Sequence, residues 1–292
     1  MVPPKERAAD RKTAMRIPMN LCRPDTSKSC AACCGLYNVG DGTRLTLRDK
    51  LTYRTDRFRD VIRSPDALAG FESEVRARER TVPYDEVIHV CEFAGFVDAE
   101  RRSVGCMLHP CAPGNEGRDW RGMCHYGGMA CKSFHCPAWE ELSDLHKRIV
   151  TDIVDDWHLY GLVITDVDFI LSLFELVEEH LGLTLDDTFL RCDSARSDFL
   201  RILKWKDSGI LPGDSSATLR LSRYYINAST SGKLARGGGP MDRILACLEF
   251  TYGHSERIPG AERLVSGGIG RFVSTYRQWI EGVEERGKDR RR

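Results

Sequence analysis

The sequence predicts an α-rich α+β fold, in which a loop-dominated, cysteine-rich domain with a small β-ribbon packs on a helical bundle. Three observations predict it. Ten of the 12 cysteines lie between Cys22 and Cys136, which leaves only Cys192 and Cys247 for the rest of the chain. Within that stretch, two short β-prone segments flank a charged tip, as in a ribbon. After Pro137, apolar residues recur at helical spacing almost to the end.

At 292 residues the chain can bury a large core and needs no cysteine staples to stay folded. Lysine plus arginine balances aspartate plus glutamate at 43 each, so no net field draws nucleic acid or an anionic membrane. No run approaches the roughly 20 apolar residues of a membrane span. The first residues, with Lys5, Arg7, Arg11, Lys12 and Arg16, lack the apolar core of an export signal. The expectation is a cytoplasmic protein with no membrane partner, and nothing in the charge balance points to nucleic acid. In that reducing compartment thiols stay free for metals, whereas in an exported chain they would pair as disulfides.

Taken in order, residues 1–20 are polar, mixed in charge and expected to be a flexible tail. The cysteine-cluster domain follows over 21–138. Its run Ser29-Cys30-Ala31-Ala32-Cys33-Cys34-Gly35, with Gly40 and Gly42 beyond, is expected to be loop turned tightly around a buried centre. From 46 to about 63, Leu47, Leu51, Arg54, Phe58 and Val61 keep helical spacing, with Thr46 as cap and Ser64-Pro65 as stop. A second, more charged helix covers 65–80. Segments 86–93, 96–98 and 103–108 predict the ribbon, with Cys91 and Cys106 near its base. Residues 109–138 show no period, and a loop that long is uncommon in a compact domain unless something organises it.

The helical domain is assigned to 139–284. Leu145, Ile149, Ile153, Trp157 and Tyr160 form one stripe, ended by Gly161. Val167, Ile170, Phe174, Val177 and Leu181 form the next, capped by Thr165 and closed by Gly182. A third helix is expected over 187–206, a short element at 218–226, a linker at 232–240, and further helices over 241–251 and 265–283. Residues 285–292 are expected to be a charged tail.

The chemistry lies in the thiols. Thiolate is a soft donor, and four of them satisfy a tetrahedral zinc ion or an iron–sulfur cluster of the 4Fe-4S kind. Cys30 and Cys33, two residues apart, can direct both sulfurs at one centre. Cys22, Cys30, Cys33, Cys34, Cys91, Cys106, Cys131 and Cys136 are the candidate ligands, with His109, Cys111, Cys124 and His125 as further candidates. Adjacent side chains diverge, so one of Cys33 and Cys34 either faces a second centre or is a spare thiol. Ten cysteines can supply two four-coordinate sites, or one cluster with an open position. Cys192 and Cys247, on apolar helices, are expected to be small core residues. The chain has no GxxxxGK[ST], HExxH or GxSxG, and no GxGxxG after a strand.

Cys30, Cys33 and Cys34 form a Cys-x2-Cys-Cys ending, with Cys22 upstream across a longer spacer. Cys91-Glu92-Phe93 and Gly105-Cys106-Met107-Leu108 follow, and Cys131-Lys132-Ser133-Phe134-His135-Cys136-Pro137 closes the pattern. Over about 22–137 this resembles the CxxCxxCC zinc- or iron-chelating family, the YkgJ-like cysteine cluster proteins. Leu108-His109-Pro110 stands where that family has Tyr-x-x-Arg-Pro. The resemblance implies a protein that holds zinc or an iron–sulfur cluster through these cysteines. Flagellin lysine N-methylases carry a similar pattern, which implies an alternative, an iron–sulfur-dependent transferase that modifies protein, or an oxidoreductase. A disulfide-stabilised binding module is the third reading.

Overall fold

The computed structural model describes residues 20–83, 86, 88–208, 238–248 and 258–289. All but the last residue of the tail expected at 1–20, the element at 218–226 and most of the 232–240 linker lie outside the described residues. The fold is α+β and rich in helix, with one two-stranded antiparallel sheet. Among the described residues no helix is long and apolar enough to cross a membrane.

The cysteine run is not plain loop. Ala32–Cys34 makes one 3-10 turn, closed by Gly35 at φ +71°. A Cβ on Gly35 would stand 2.3 Å from the His89 carbonyl oxygen, so only glycine lets the two backbones meet there. Helix α1 (Arg44–Arg59) starts earlier than its spacing predicts, because Thr43 rather than Thr46 is the cap and accepts from the Thr46 N–H. Helix α2 (Pro65–Glu79) follows Ser64, which caps it, and stops at Arg80 in a left-handed conformation. Strands β1 (Ala94–Phe96) and β2 (Val104–Cys106) pair with Ala94 opposite Cys106 and Phe96 opposite Val104.

The ribbon is shorter than expected because residues 88–91 bond outside it. The Cys91 N–H donates to the Cys34 carbonyl at 2.9 Å, and the Asn38 amide donates to the Ile88 carbonyl at 2.6 Å. The segment expected to be structureless also holds local order, in a 3-10 turn (Arg121–Met123) and helices α3 (Gly127–Ser133) and α4 (Pro137–Glu141).

The helical half comprises α5 (Asp144–Ile153), α6 (Trp157–Ile164), α7 (Val167–Leu181), α8 (Asp193–Leu203), α9 (Trp205–Ser208), α10 (Pro240–Cys247) and α11 (Ile258–Asp289). The first predicted stripe is two helices, because Asp156 caps a new one and accepts from the Leu159 N–H at 2.9 Å. Gly161 therefore lies within α6 rather than ending a helix. Asp166, not Thr165, caps α7, while the Thr165 hydroxyl donates to the Gly161 carbonyl at 2.6 Å. The expected 187–206 helix opens with a 3-10 turn (Asp187–Arg191) before α8 and α9, and α11 runs through Asp289, past the boundary at 284. Helix α10 packs on α7, and α11 packs on α7 and α8. Phe169, Phe189, Phe199 and Phe272 are fully buried between them.

A second core crosses the boundary at 138. Leu36, Tyr37, Leu47, Leu51, Phe96 and Val104 pack against Trp157 and Leu162 of α6. The Tyr37 hydroxyl sits 3.1 Å from the Trp157 carbonyl and 3.3 Å from that of His158. A Cβ on Gly161 would fall 2.0 Å from that hydroxyl. Thermal unfolding of Gly161→Ala is expected to show a loss of about 1–3 kcal/mol from overpacking. Tyr37→Leu should cost less on the Gly161→Ala background than in the wild type; additive losses would show that the two residues do not share this contact.

Candidate metal centre

Nine of the candidate thiols are gathered into two groups. In the first, Cys30 and Cys136 are half-buried at the edge of the helical core, Cys136 directly before the proline that opens α4. Cys22 is held beside Cys30 by the bond from the Cys30 N–H to the Cys22 carbonyl, at 2.9 Å. Behind Cys22, the Tyr160 hydroxyl donates to the carbonyl of buried Leu21 at 2.9 Å. Cys33 faces the same side. Burial and the neighbouring Cys33 and Cys136 push the Cys22 thiol up to about 12. Cys22 and Cys33 expose part of their surface to solvent, so the crowding that causes this is local to the sulfur.

In the second group, Cys91 and Cys124 are buried, and Cys34 and Cys106 half-buried, on the core made by Phe58, Phe71, Phe93 and Leu108. The Cys91-to-Cys34 backbone bond joins two segments of this set, and the ribbon brings in Cys106. Cys131, exposed on α3, places its sulfur 3.3 Å from that of Cys124. Burial and Cys124 push the Cys106 thiol up to about 11; burial and the hydrogen bond with Cys124 push that of Cys131 up to about 12.

Two opposing effects act on these sulfurs. Backbone amides approach them: the Ala32 N–H lies 3.4 Å from Cys30 Sγ, and the amides of Phe93, Leu108 and Ala138 serve Cys91, Cys106 and Cys136 in the same i+2 relation. Such donors favour thiolate. Burial acts against them and, with repulsion between neighbouring thiolates, keeps Cys30, Cys91 and Cys136 above the ordinary thiol range. Within the vicinal pair the Cys34 thiol donates to Cys33, which lowers Cys33 and raises Cys34. The donor set is soft, oriented and short of positive charge, so it fits a thiophilic cation, which would deprotonate it on binding.

The remaining candidates are placed elsewhere. Cys111 is exposed at a turn, its N–H donating to His109 Nδ1 at 3.1 Å, and the His109 imidazole is shifted down by burial and by Arg121. His125 is exposed and stacks on His89 with ring centroids 4.2 Å apart. Cys192 is buried in the helical core and Cys247 packs against it. Among the described residues, three donor atoms lie within 4.8 Å of one another only in Glu72, His89 and Glu92; no three sulfurs are that close. Arg76 already donates to both of those carboxylates, at 2.6 and 3.0 Å. A cavity of about 250 Å³ opens beside this group, lined by Arg54, Glu79, His89, Val90 and Glu92 among others.

Two residues that hold the thiols in place are not among the sequence candidates. Arg54, buried and paired with Glu79 through Nε and Nη2 at 2.5 and 2.6 Å, donates from Nη1 to the carbonyls of Cys91 and Ala94 at 3.0 and 3.3 Å. Its signal was available, since it is the one charged residue at a stripe position of α1. Ser29, fully buried, bonds both the N–H and the carbonyl of Val104 at 2.6 Å, which fastens the cysteine run to β2. A lone serine in a loop gives no such signal.

No protein-family model, curated protein or solved structure matches the chain.

Thiols held protonated at neutral pH must release protons when they ligate a metal. Adding Zn²⁺ to the metal-free chain in weak buffer is therefore expected to release close to one proton per ligating thiol. Apparent affinity should rise steeply between pH 6 and 9, because the raised thiols lose their protons only above that range. Uptake without proton release would show that these thiols are not the ligands.

Proposed function

We propose that this chain is a metal-binding protein of the cysteine-cluster kind, whose thiolates hold iron–sulfur clusters. The observation that carries the reading is the convergence of thiols from sequence-distant segments, four of them approached by the amide two residues on. Cysteines that merely fill a core have no use for that arrangement, because a neutral thiol accepts hydrogen bonds weakly. The number of thiols bears on the metal: ten cysteines between Cys22 and Cys136 are more than one tetrahedral zinc ion takes, which favours a polynuclear centre or a second site. The pattern similar to the YkgJ-like proteins is in keeping with this.

When bound, a cluster supplies one-electron exchange, or a site that binds substrate at an open iron. The chain's own residues orient and shield it. Arg54 holds the backbone at Cys91, the amides tune the charge on the sulfurs, and the Phe58, Phe71 and Phe93 core keeps water from Cys91 and Cys124.

Anaerobic purification from iron-replete cells is expected to give brown protein containing iron and acid-labile sulfide. Cys30→Ser, Cys91→Ser, Cys106→Ser and Cys136→Ser should each lower that content, whereas Cys111→Ser, Cys192→Ser and Cys247→Ser should leave it unchanged. Colourless protein with stoichiometric zinc would reassign the metal. Metal-free protein with few titratable thiols would replace this reading with the disulfide one.

A further inference from the structure

The vicinal cysteines lie on a 3-10 turn, where the Cys34 N–H donates to the Ala31 carbonyl at 3.0 Å and the Gly35 N–H to that of Ala32 at 2.8 Å. The Cys34 thiol donates to Cys33, so the two sulfurs meet, but their further neighbours differ: Cys33 lies by Cys22, Cys30 and Cys136, and Cys34 by Cys91 and Cys106. Two sides adjoin at this pair and meet different surroundings. On one, Cys30 and Cys136 pack on the helical core, and Cys22 is bonded through its backbone to Cys30. On the other, Cys34 packs with Cys91, Cys106 and Cys124 on the core built by α1, α2 and the ribbon, and bonds through its backbone to Cys91.

We infer that the chain holds two metal centres divided at the peptide bond between Cys33 and Cys34, one ligated by Cys22, Cys30, Cys33 and Cys136 and the other by Cys34, Cys91, Cys106 and Cys124. The inference rests on the metal-binding reading above and specifies its stoichiometry and ligand sets. Cys131 is then a ninth thiol, exposed on α3 and 3.3 Å from Cys124, adjacent to the second centre but not required by it. The second centre lies in an apolar core, whereas the first keeps Cys22 and Cys33 open to solvent.

Adjacent residues that serve different centres make a sharp test. The full-length chain and its variants would be loaded anaerobically with ferrous iron and sulfide, and in parallel with Co²⁺, whose thiolate charge-transfer bands report each centre directly. Cys33→Ser and Cys34→Ser are each expected to retain about half of the wild-type metal. Cys33→Ser/Cys136→Ser should retain the same half as Cys33→Ser alone, while Cys33→Ser/Cys106→Ser should retain none. Cys131→Ser should keep full content, and Cys124→Ser should lose half.

The centre left in each single variant serves as the internal check that the chain has folded. A wild-type chain that binds one centre's worth of metal, with Cys33→Ser and Cys34→Ser abolishing the same species, would overturn the division but not metal binding. Loss of half the metal in Cys131→Ser, with none lost in Cys124→Ser, would overturn the assignment of the second ligand set. A wild-type chain that binds neither iron nor cobalt would overturn both readings.

Discussion

Gly35 meets the His89 carbonyl so closely that the contact admits a hydrogen and no side chain. The placement of the cysteine-rich half follows from that meeting. It aligns the Cys34 carbonyl with the Cys91 N–H, so a turn near the start of the chain joins a segment more than fifty residues downstream. Asn38 adds a second bond to the same segment through Ile88, and Arg54, fixed by Glu79, adds a third through the Cys91 carbonyl. Three backbone anchors of this kind account for the absence of strand over 88–91, because their donors and acceptors are already used. The thiols are then carried by backbone that is fixed on several sides.

Against this order stands an electrostatic imbalance. Nine thiols are gathered into two groups, several of them out of water, and Arg54, Arg76 and Arg121 are already engaged, by Glu79, by Glu72 and Glu92, and by Asp119. The amides that approach the sulfurs are aimed at negative charge that burial and repulsion between neighbouring thiolates suppress. A protein that only packed these cysteines would gain nothing from such amides. The arrangement is consistent with a cation completing the site, as proposed above.

Much of this was legible in the sequence. The helix-rich class, both charged helices of the cysteine-rich half, the ribbon and the core roles of Cys192 and Cys247 follow from spacing and composition, because burial imposes those periods locally. The caps were less legible. Thr43 and Thr46 are chemically equivalent candidates, as are Thr165 and Asp166, and only the backbone conformation decides between them. A stripe continuous through Trp157 concealed the break at Asp156, since two helices in line can present one apolar face. Sorting the cysteines was beyond the sequence for a different reason: Cys124 and Cys131 differ in what packs on them, and that depends on Phe58, Phe71 and Phe93, which lie far away in the chain. The sequence expects the side chains of Cys33 and Cys34 to diverge, yet the Cys34 thiol donates to Cys33, and the surroundings that receive each of them could not be anticipated.

Composition changes abruptly at Pro137, yet the structure has no seam there. Helix α6 faces the helical bundle with Leu159, Tyr160 and Val163, and faces the other way to receive Tyr37 and its neighbours over Gly161. One short helix is thus an interior wall of both halves. A chain divided at 138 would leave Trp157 and Leu162 bare on one piece and Tyr37 without its groove on the other. What the cysteine count marks as two modules shares one core at α6, and a movement of the bundle that displaced α6 would be felt at the turn that carries Cys33 and Cys34.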